Sequence, residues 1–346
     1  MKTDAALVQE NGTILRRKRS KAQIMKMKSR KWAVSIVRAL LMMGLCFMII
    51  QPIITRFATS IMAEKDLYDG TIILLPKNVT MKNFEDAFNL LKMNWDANQT
   101  FGQNLANNSM FNTLWTSLLM ATCQVISCTL VAYGFARYNF PLKKLWFGCA
   151  VALIIIPPQT ISASLVNSFS NFDVFGIFKL TTGDDLNLRG SPVPYVLMSL
   201  TCMGLKNGLY IYMLRQYFRG VPKSLEEAAY IDGCGTIHTF TRIMLPDAVP
   251  IIMSCFLFGV VWQWTDLFYS RNFLAGYNIF AVKLSTMVDS MAYYFGENGN
   301  TVVVSNAKSQ QFISIGVVIC SLPLIILYCF TQKTFVKSLA MTGSKE

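Results

Sequence analysis

Apolar residues gather along this chain in six long blocks, not in the narrow stripes of a soluble core. The blocks cover about 32–62, 111–136, 145–169, 194–214, 248–267 and 312–330. A helix needs about 20 apolar residues to cross a hydrocarbon layer of about 30 Å, so each block is long enough to be one span. Arg38 and Arg56 interrupt the first block, the second carries no charge, and Lys206 stands alone inside the fourth. The pattern predicts an all-α membrane protein with six transmembrane helices.

Polar stretches divide the remainder. Residues 1–31 form a basic tail, 63–110 separate the first two spans, 111–332 hold a five-span core, and 333–346 form a polar end. Within the second of these, "LLPKNVTMKNFEDAF" offers turn residues and then an amphipathic helical pattern through Phe84, Ala87, Phe88 and Leu91. Asn78, Asn98 and Asn107 fall in N-x-[ST] triplets, a pattern frequent by chance.

Composition agrees with the blocks. Hydrophobic residues make up 53% and charged residues 15%, against about 25% charged in a typical soluble domain. The net charge of +13 comes largely from the tail, where lysines and arginines crowd from Arg16 to Lys31 against only Asp4 and Glu10. Such a juxtamembrane tail reads as a topology signal or an anionic-lipid contact, not as a nucleic-acid site. Basic flanks stay in the cytoplasm, which predicts cytoplasmic N- and C-termini. Arg137, Lys143 and Lys144 place the loop after span two inside, and Arg215, Arg219, Lys223 and Arg242 do the same for the loop after span four. Acidic residues at Glu64, Asp66, Asp69, Asp173, Asp184 and Asp185 mark outer loops.

Catalytic and metal signatures are missing. The sequence has no Walker P-loop, no nucleophile elbow and no HExxH. Of nine cysteines, eight lie in apolar blocks and none is spaced as a metal pair; the sole histidine, His238, has no ligand partner at useful spacing. With one clear mid-span charge, the chain also lacks the ionisable groups that secondary transporters and proton pumps use.

One polar stretch breaks the apolar second half: "PKSLEEAAYIDGCGTIHTFTRIMLP", residues 222–246. Pro222 stops the preceding helix, Ser224 and Glu227 have capping-box spacing, and Glu226 with Glu227 suits a helix N-terminus. Ala228 and Ala229 permit close approach of another surface, Gly233 and Gly235 permit a turn, and a second short helix is expected over about 237–244. A helix this short is not stable alone and needs a surface to dock on.

Glu227, Ala228, Ala229, Gly233, Ile243, Leu245 and Pro246 stand at the spacing Glu-Ala-Ala, three residues, Gly, nine residues, Ile-x-Leu-Pro. This resembles the signature of the membrane subunits of ABC importers. "YGFARYNFPLKKLWF", "IIIPPQ", "WQWTDLF" and "QKTFVKSLAMTG" resemble the carbohydrate (maltose and multiple-sugar) branch, and together the likeness covers about 110–343. It implies a MetI-like type I importer permease with a cytoplasmic coupling helix. The coupling residues implied are Ser224, Leu225, Glu226, Glu227, Ala228, Ala229, Ile231, Asp232 and Gly233, with Ile243, Leu245 and Pro246 behind them. Glu227 would pair with a basic group on a separate ATPase and Gly233 would make the turn. The implied partners are a second permease subunit, two ABC ATPases holding ATP and Mg, an extracytoplasmic solute-binding protein and a sugar; this chain would bind no cofactor and catalyse nothing.

Sugars are read by aromatic faces and hydrogen-bonding groups. Lys206, Asn207 and Tyr210 in span four, and Trp262, Trp264, Asp266 and Tyr269 at the outer end of span five, are the expected substrate path. An interfacial aromatic belt is the plainer account of the aromatics, and snorkelling or an ion pair that of Lys206. The competing functions are a permease of the same fold for an amino acid, peptide or phosphate, an ATPase-independent channel or secondary transporter, a membrane enzyme, and an assembly protein.

Overall fold

The structure is a computed structural model that describes residues 5–10, 13–18, 21–72, 75–173, 179, 185–296 and 301–343. Helix α1 spans Lys21–Ile61, α2 Lys82–Leu90, α3 Phe101–Asn107, α4 Ser109–Arg137, α5 Lys143–Ile155, α6 Ser162–Ser170, α7 Val193–Leu200 and α8 Asn207–Gly220. Then follow α9 at Lys223–Ile231, α10 at Thr236–Thr239, α11 at Val249–Trp264, α12 at Phe268–Phe273, α13 at Phe280–Ser285, α14 at Met287–Tyr294 and α15 at Asn306–Gly343. The tail departs from an all-α chain: Ala5–Glu10 (β1) pairs antiparallel with Thr13–Lys18 (β2), and α1 begins at Lys21, ahead of its apolar block.

Among the described residues three helices are long and apolar enough to cross a membrane unaided: Met27–Ile61, Ser109–Arg137 and Asn306–Gln332. The other three blocks hold no single helix of that length. The third, expected as one straight helix, bends by 102° between Lys143–Ile155 and Pro158–Ser170. Pro157 and Pro158 cause this, because proline lacks the amide hydrogen that would continue the ladder and pushes its predecessor out of helical geometry. The fifth block, α11, meets the segment Thr236–Asp247 at 72°.

The fourth block is cut in two by residues 201–206. Cys202 and Lys206 both adopt left-handed backbone, at φ 60° and φ 63°, a region that costs an ordinary residue about 1–2 kcal/mol. Open backbone at membrane depth survives only where protein satisfies it, and α4 does so here. Gln124 Nε2 donates to the Leu205 carbonyl at 3.0 Å and Ser127 Oγ to the Ser199 carbonyl at 2.7 Å.

Helix α4 is the central post, packed on α7, α8 and α11. Its Val125, Cys128, Ala132 and Tyr133 join Tyr210, Ile211, Leu214 and Phe218 of α8 and Ile251 and Cys255 of α11 in one buried cluster. A second cluster lies under α2, whose Ala87 and Leu90 meet Phe312, Ile315 and Ile319 of α15. The amphipathic pattern read from residues 84–91 therefore docks on the last helix, with Phe84 and Phe88 packed at its edge. A third joins Met120, Tyr195, Met198, Tyr269 and Phe273. Helix α1 packs mainly on α15, where Arg56 donates to Gln310 Oε1 at 2.9 Å and Ser314 Oγ at 3.2 Å.

Candidate functional site

The polar stretch folds as two short helices hung beneath α8 and α11. Pro222 occupies the N-cap position and α9 starts at Lys223, two residues earlier than the capping-box spacing implied. Ser224 is thereby inside the helix, no side-chain cap bond forms, and the expected box is absent. Glu226 stays in the first turn, where a carboxylate suits the helix dipole.

Helical phase then separates the two glutamates. Glu226 and Ala229, three apart, are buried, whereas Ser224, Leu225, Glu227, Ala228, Tyr230, Ile231 and Asp232 face outward. Glu226 Oε1 lies 3.2 Å from Arg137 Nε and accepts a 3.0 Å hydrogen bond from the Tyr133 hydroxyl. Arg137 Nη2 also donates to the Val221 carbonyl at 2.9 Å, tying the end of α4 to the start of the loop. Sequence reading treated Arg137 only as an orientation charge and passed over Tyr133; their spacing of i, i+4 on α4 is the signal that pairs them on one face.

The turn is built as expected. Gly233 has φ +82°. Its N–H donates to Tyr230 O at 3.1 Å, and Cys234 N–H reaches Ala229 O at 2.9 Å, the two bonds of a Schellman cap. Gly235 is extended and starts α10. The second helix continues as a π turn over Phe240–Met244 and a last turn at Leu245–Asp247. Ile243 and Leu245 are half-buried and Pro246 is exposed.

The outward face of α9 is unusual for a polar loop. Leu225 is 43% exposed, Tyr230 46%, and Ile231 85%. Large apolar side chains beside the small Ala228 and the charge of Glu227 make a surface suited to a groove on another protein.

A second feature opens at the break in the fourth block. A cavity of about 920 Å³ is bounded by the bend after α5, the 203–206 segment and the C-terminal end of α11. Lys206, Trp262, Asp266 and Tyr269 line it, four of the seven residues expected on a substrate path. The other three are elsewhere. Asn207 and Tyr210 are buried at 1% and 0% exposure against α4. Trp264 lies two residues past Trp262, on the opposite side of α11, and donates its indole N–H to the Cys320 carbonyl at 3.1 Å. Lys206 Nζ stands 5.0 Å from the Trp262 ring centroid, a cation–π contact. Sequence reading did not single out Arg271, Gln159 and Asn272, which also line the cavity.

Residues 128–340 match the family model described as the inner membrane component of binding-protein-dependent transport systems. The chain belongs to this family. Trehalose transport system permease protein SugB of Mycobacterium tuberculosis is 24% identical to this permease over 85% of the chain and 92% of its own length. Melibiose/raffinose/stachyose import permease protein MelC of Bacillus subtilis is 26% identical over 85% and 91% respectively. In fold, the permease resembles a chain of a bacterial ABC transporter that imports the acidic polysaccharide alginate. The TM-score is 0.59 at 18% identity, covering 92% of this chain and 99% of that one.

Proposed function

We propose that this permease forms half of the membrane pore of an ATP-driven sugar or oligosaccharide importer. The relatives named for trehalose and for melibiose, raffinose and stachyose support the solute class. Six spans serve the pore, the fourth made of α7 and α8 together, with both termini in the cytoplasm as the basic flanks require.

The observation that carries the reading is the anchored helix α9. Its inner face is fixed to α4 through Glu226, Arg137 and Tyr133, and its outer face presents Leu225, Glu227, Ala228 and Tyr230 to solvent. A rigid lever with an unfilled outer face is what coupling to a separate motor requires. Two ATPase subunits, holding ATP and Mg, would close on ATP and carry α9 with them. The cavity then passes between inward- and outward-facing packings, each favoured by a different ligand. An extracytoplasmic binding protein delivers the sugar, and a second, different permease chain supplies the other half of the pore.

The test is crosslinking at Ala228→Cys in membranes that contain the whole system, with mass identification of the captured chain. Capture of a nucleotide-binding ATPase is the expected result. A cysteine there that is labelled only by an impermeant reagent from outside the cell overturns the reading.

A further inference from the structure

The cavity beside the broken span carries more positive than negative charge. Lys206 Nζ is held over Trp262, and among the described residues no carboxylate lies within ion-pair distance of it. Arg271, exposed on α12, lines the same cavity and likewise has no carboxylate partner among the described residues. The acidic group on this wall is Asp266, which is buried and already engaged. Its Oδ2 accepts from Ser270 N at 2.9 Å, Ser270 Oγ at 3.2 Å and the Tyr195 hydroxyl at 3.4 Å, and its Oδ1 faces Tyr269 N at 3.4 Å. Those donors hold Asp266 within the wall as a positioning group for α12, and leave the two cations unanswered.

Lys206 stands inside the fourth apolar block, where a cation without a counter-ion is costly and marks the route of a solute, while Arg271 is exposed on α12, past the end of the fifth block. A neutral sugar would leave that cost in place. A solute bringing its own negative charge removes it, through charge-assisted hydrogen bonds that are shorter and stronger than neutral ones. Arginine adds a planar fork that matches a carboxylate.

We propose that this cavity takes an anionic saccharide, its acid group seated against Lys206 and Arg271. The inference rests on the importer reading above and narrows its solute class. It predicts that a sugar acid is preferred over a neutral sugar of the same length, and that the preference weakens as salt screens the two cations.

The test uses the purified permease complex with its second membrane subunit and ATPases, without the binding protein, so that the binding protein's own selectivity is not read. Equilibrium binding of a labelled tetrasaccharide of uronic acid is compared with that of a neutral tetrahexose, at low and high salt. The expected result is a preference for the uronate of at least about tenfold that falls towards parity in the Lys206→Gln, Arg271→Gln double variant. Lys206→Arg should keep the preference. Equal binding of the two tetrasaccharides overturns the inference, as does a preference untouched by the double variant. Binding of phosphatidylglycerol but not of the uronate overturns it in favour of a lipid site. Any of these outcomes leaves the importer reading standing if ATP-driven uptake of a neutral sugar persists in proteoliposomes. Loss of ATP-driven uptake of every saccharide would instead remove that reading, and this inference with it.

Discussion

The carboxylate of Glu226 and the guanidinium of Arg137 meet at 3.2 Å across 89 residues of sequence, with side chains only 10% and 7% exposed. The pair fastens α9, the exposed helix of the loop, to α4, the post around which the spans pack. Breaking a buried ion pair from one side leaves an uncompensated charge and costs about 3–5 kcal/mol. Glu226→Ala and Arg137→Ala are each expected to insert but to lower the thermal midpoint and to reduce transport-coupled ATP hydrolysis at least about tenfold. The double variant Glu226→Ala, Arg137→Ala should be milder than the two single effects added, because neither charge is then left alone. Full additivity in a double-mutant cycle would show that the pair does not act as a unit.

Gly233 tests the shape of the turn separately from its charge. At φ +82° a β-branched residue is badly placed, while asparagine tolerates left-handed backbone. Gly233→Val is expected to abolish uptake with insertion unchanged, and Gly233→Asn to retain most of it. Open space surrounds the position of its missing Cβ, so the effect is conformational and not steric. Equal activity of the two variants would contradict this.

Close packing of α8 on α5 depends on Gly208. A Cβ there would lie 2.5 Å from the Ala150 carbonyl oxygen, a backbone atom that cannot swing aside. At Gly259 it would meet Ala121 Cβ at 3.1 Å, a contact that a small shift relieves. Gly208→Ala should therefore destabilise by about 1–3 kcal/mol and Gly259→Ala by clearly less. Thermal unfolding in detergent gives the order, and a reversed order would rule out this account of the α5–α8 contact.

In the segment after α1, Asp66 accepts hydrogen bonds from the Asn78 backbone N–H at 2.6 Å and its side-chain amide at 2.8 Å. These bonds, the backbone one first, hold the Asp66 carboxyl below its ordinary value. A carboxyl lowered on folding contributes stability that is complete above its unfolded value and disappears as pH falls through the lower folded one. The 63–80 loop is expected to resist an acid-tolerant protease at pH 5 and to yield near pH 2, by the same linkage. Asp66→Asn should be cut more readily at pH 5 and show little further change on acidification. An unchanged cleavage pattern between wild type and variant at pH 5 would discount the anchor.

The sequence showed the long helices plainly, because α1, α4 and α15 are uninterrupted by anything except single charges or an internal proline. It showed the turn at Gly233 and the amphipathic pattern of residues 84–91 for equally local reasons, but not that the last helix covers that pattern. The bend at residues 156–158 was signalled by the Pro157–Pro158 pair, but the surrounding apolar run disguised it as part of one span. The cut at 201–206 was not legible at all. It depends on Gln124 and Ser127 from α4, about 80 residues away, and no local pattern reports a partner at that distance. The same holds for Glu226 and Glu227. They are neighbours of identical chemistry, and only Tyr133 and Arg137 decide which one turns inward.

The break in the fourth block also has a consequence for how the protein is made. A nascent segment with loose carbonyls at Leu205 and Ser199 passes poorly from the translocon into lipid until something donates to them. Gln124 and Ser127 are those acceptors' donors, and synthesis from the N-terminus delivers them first. Helix α4 is thus made ahead of the broken fourth span whose carbonyls it satisfies, and a rearranged gene that encoded the two in the opposite order is expected to insert that span poorly.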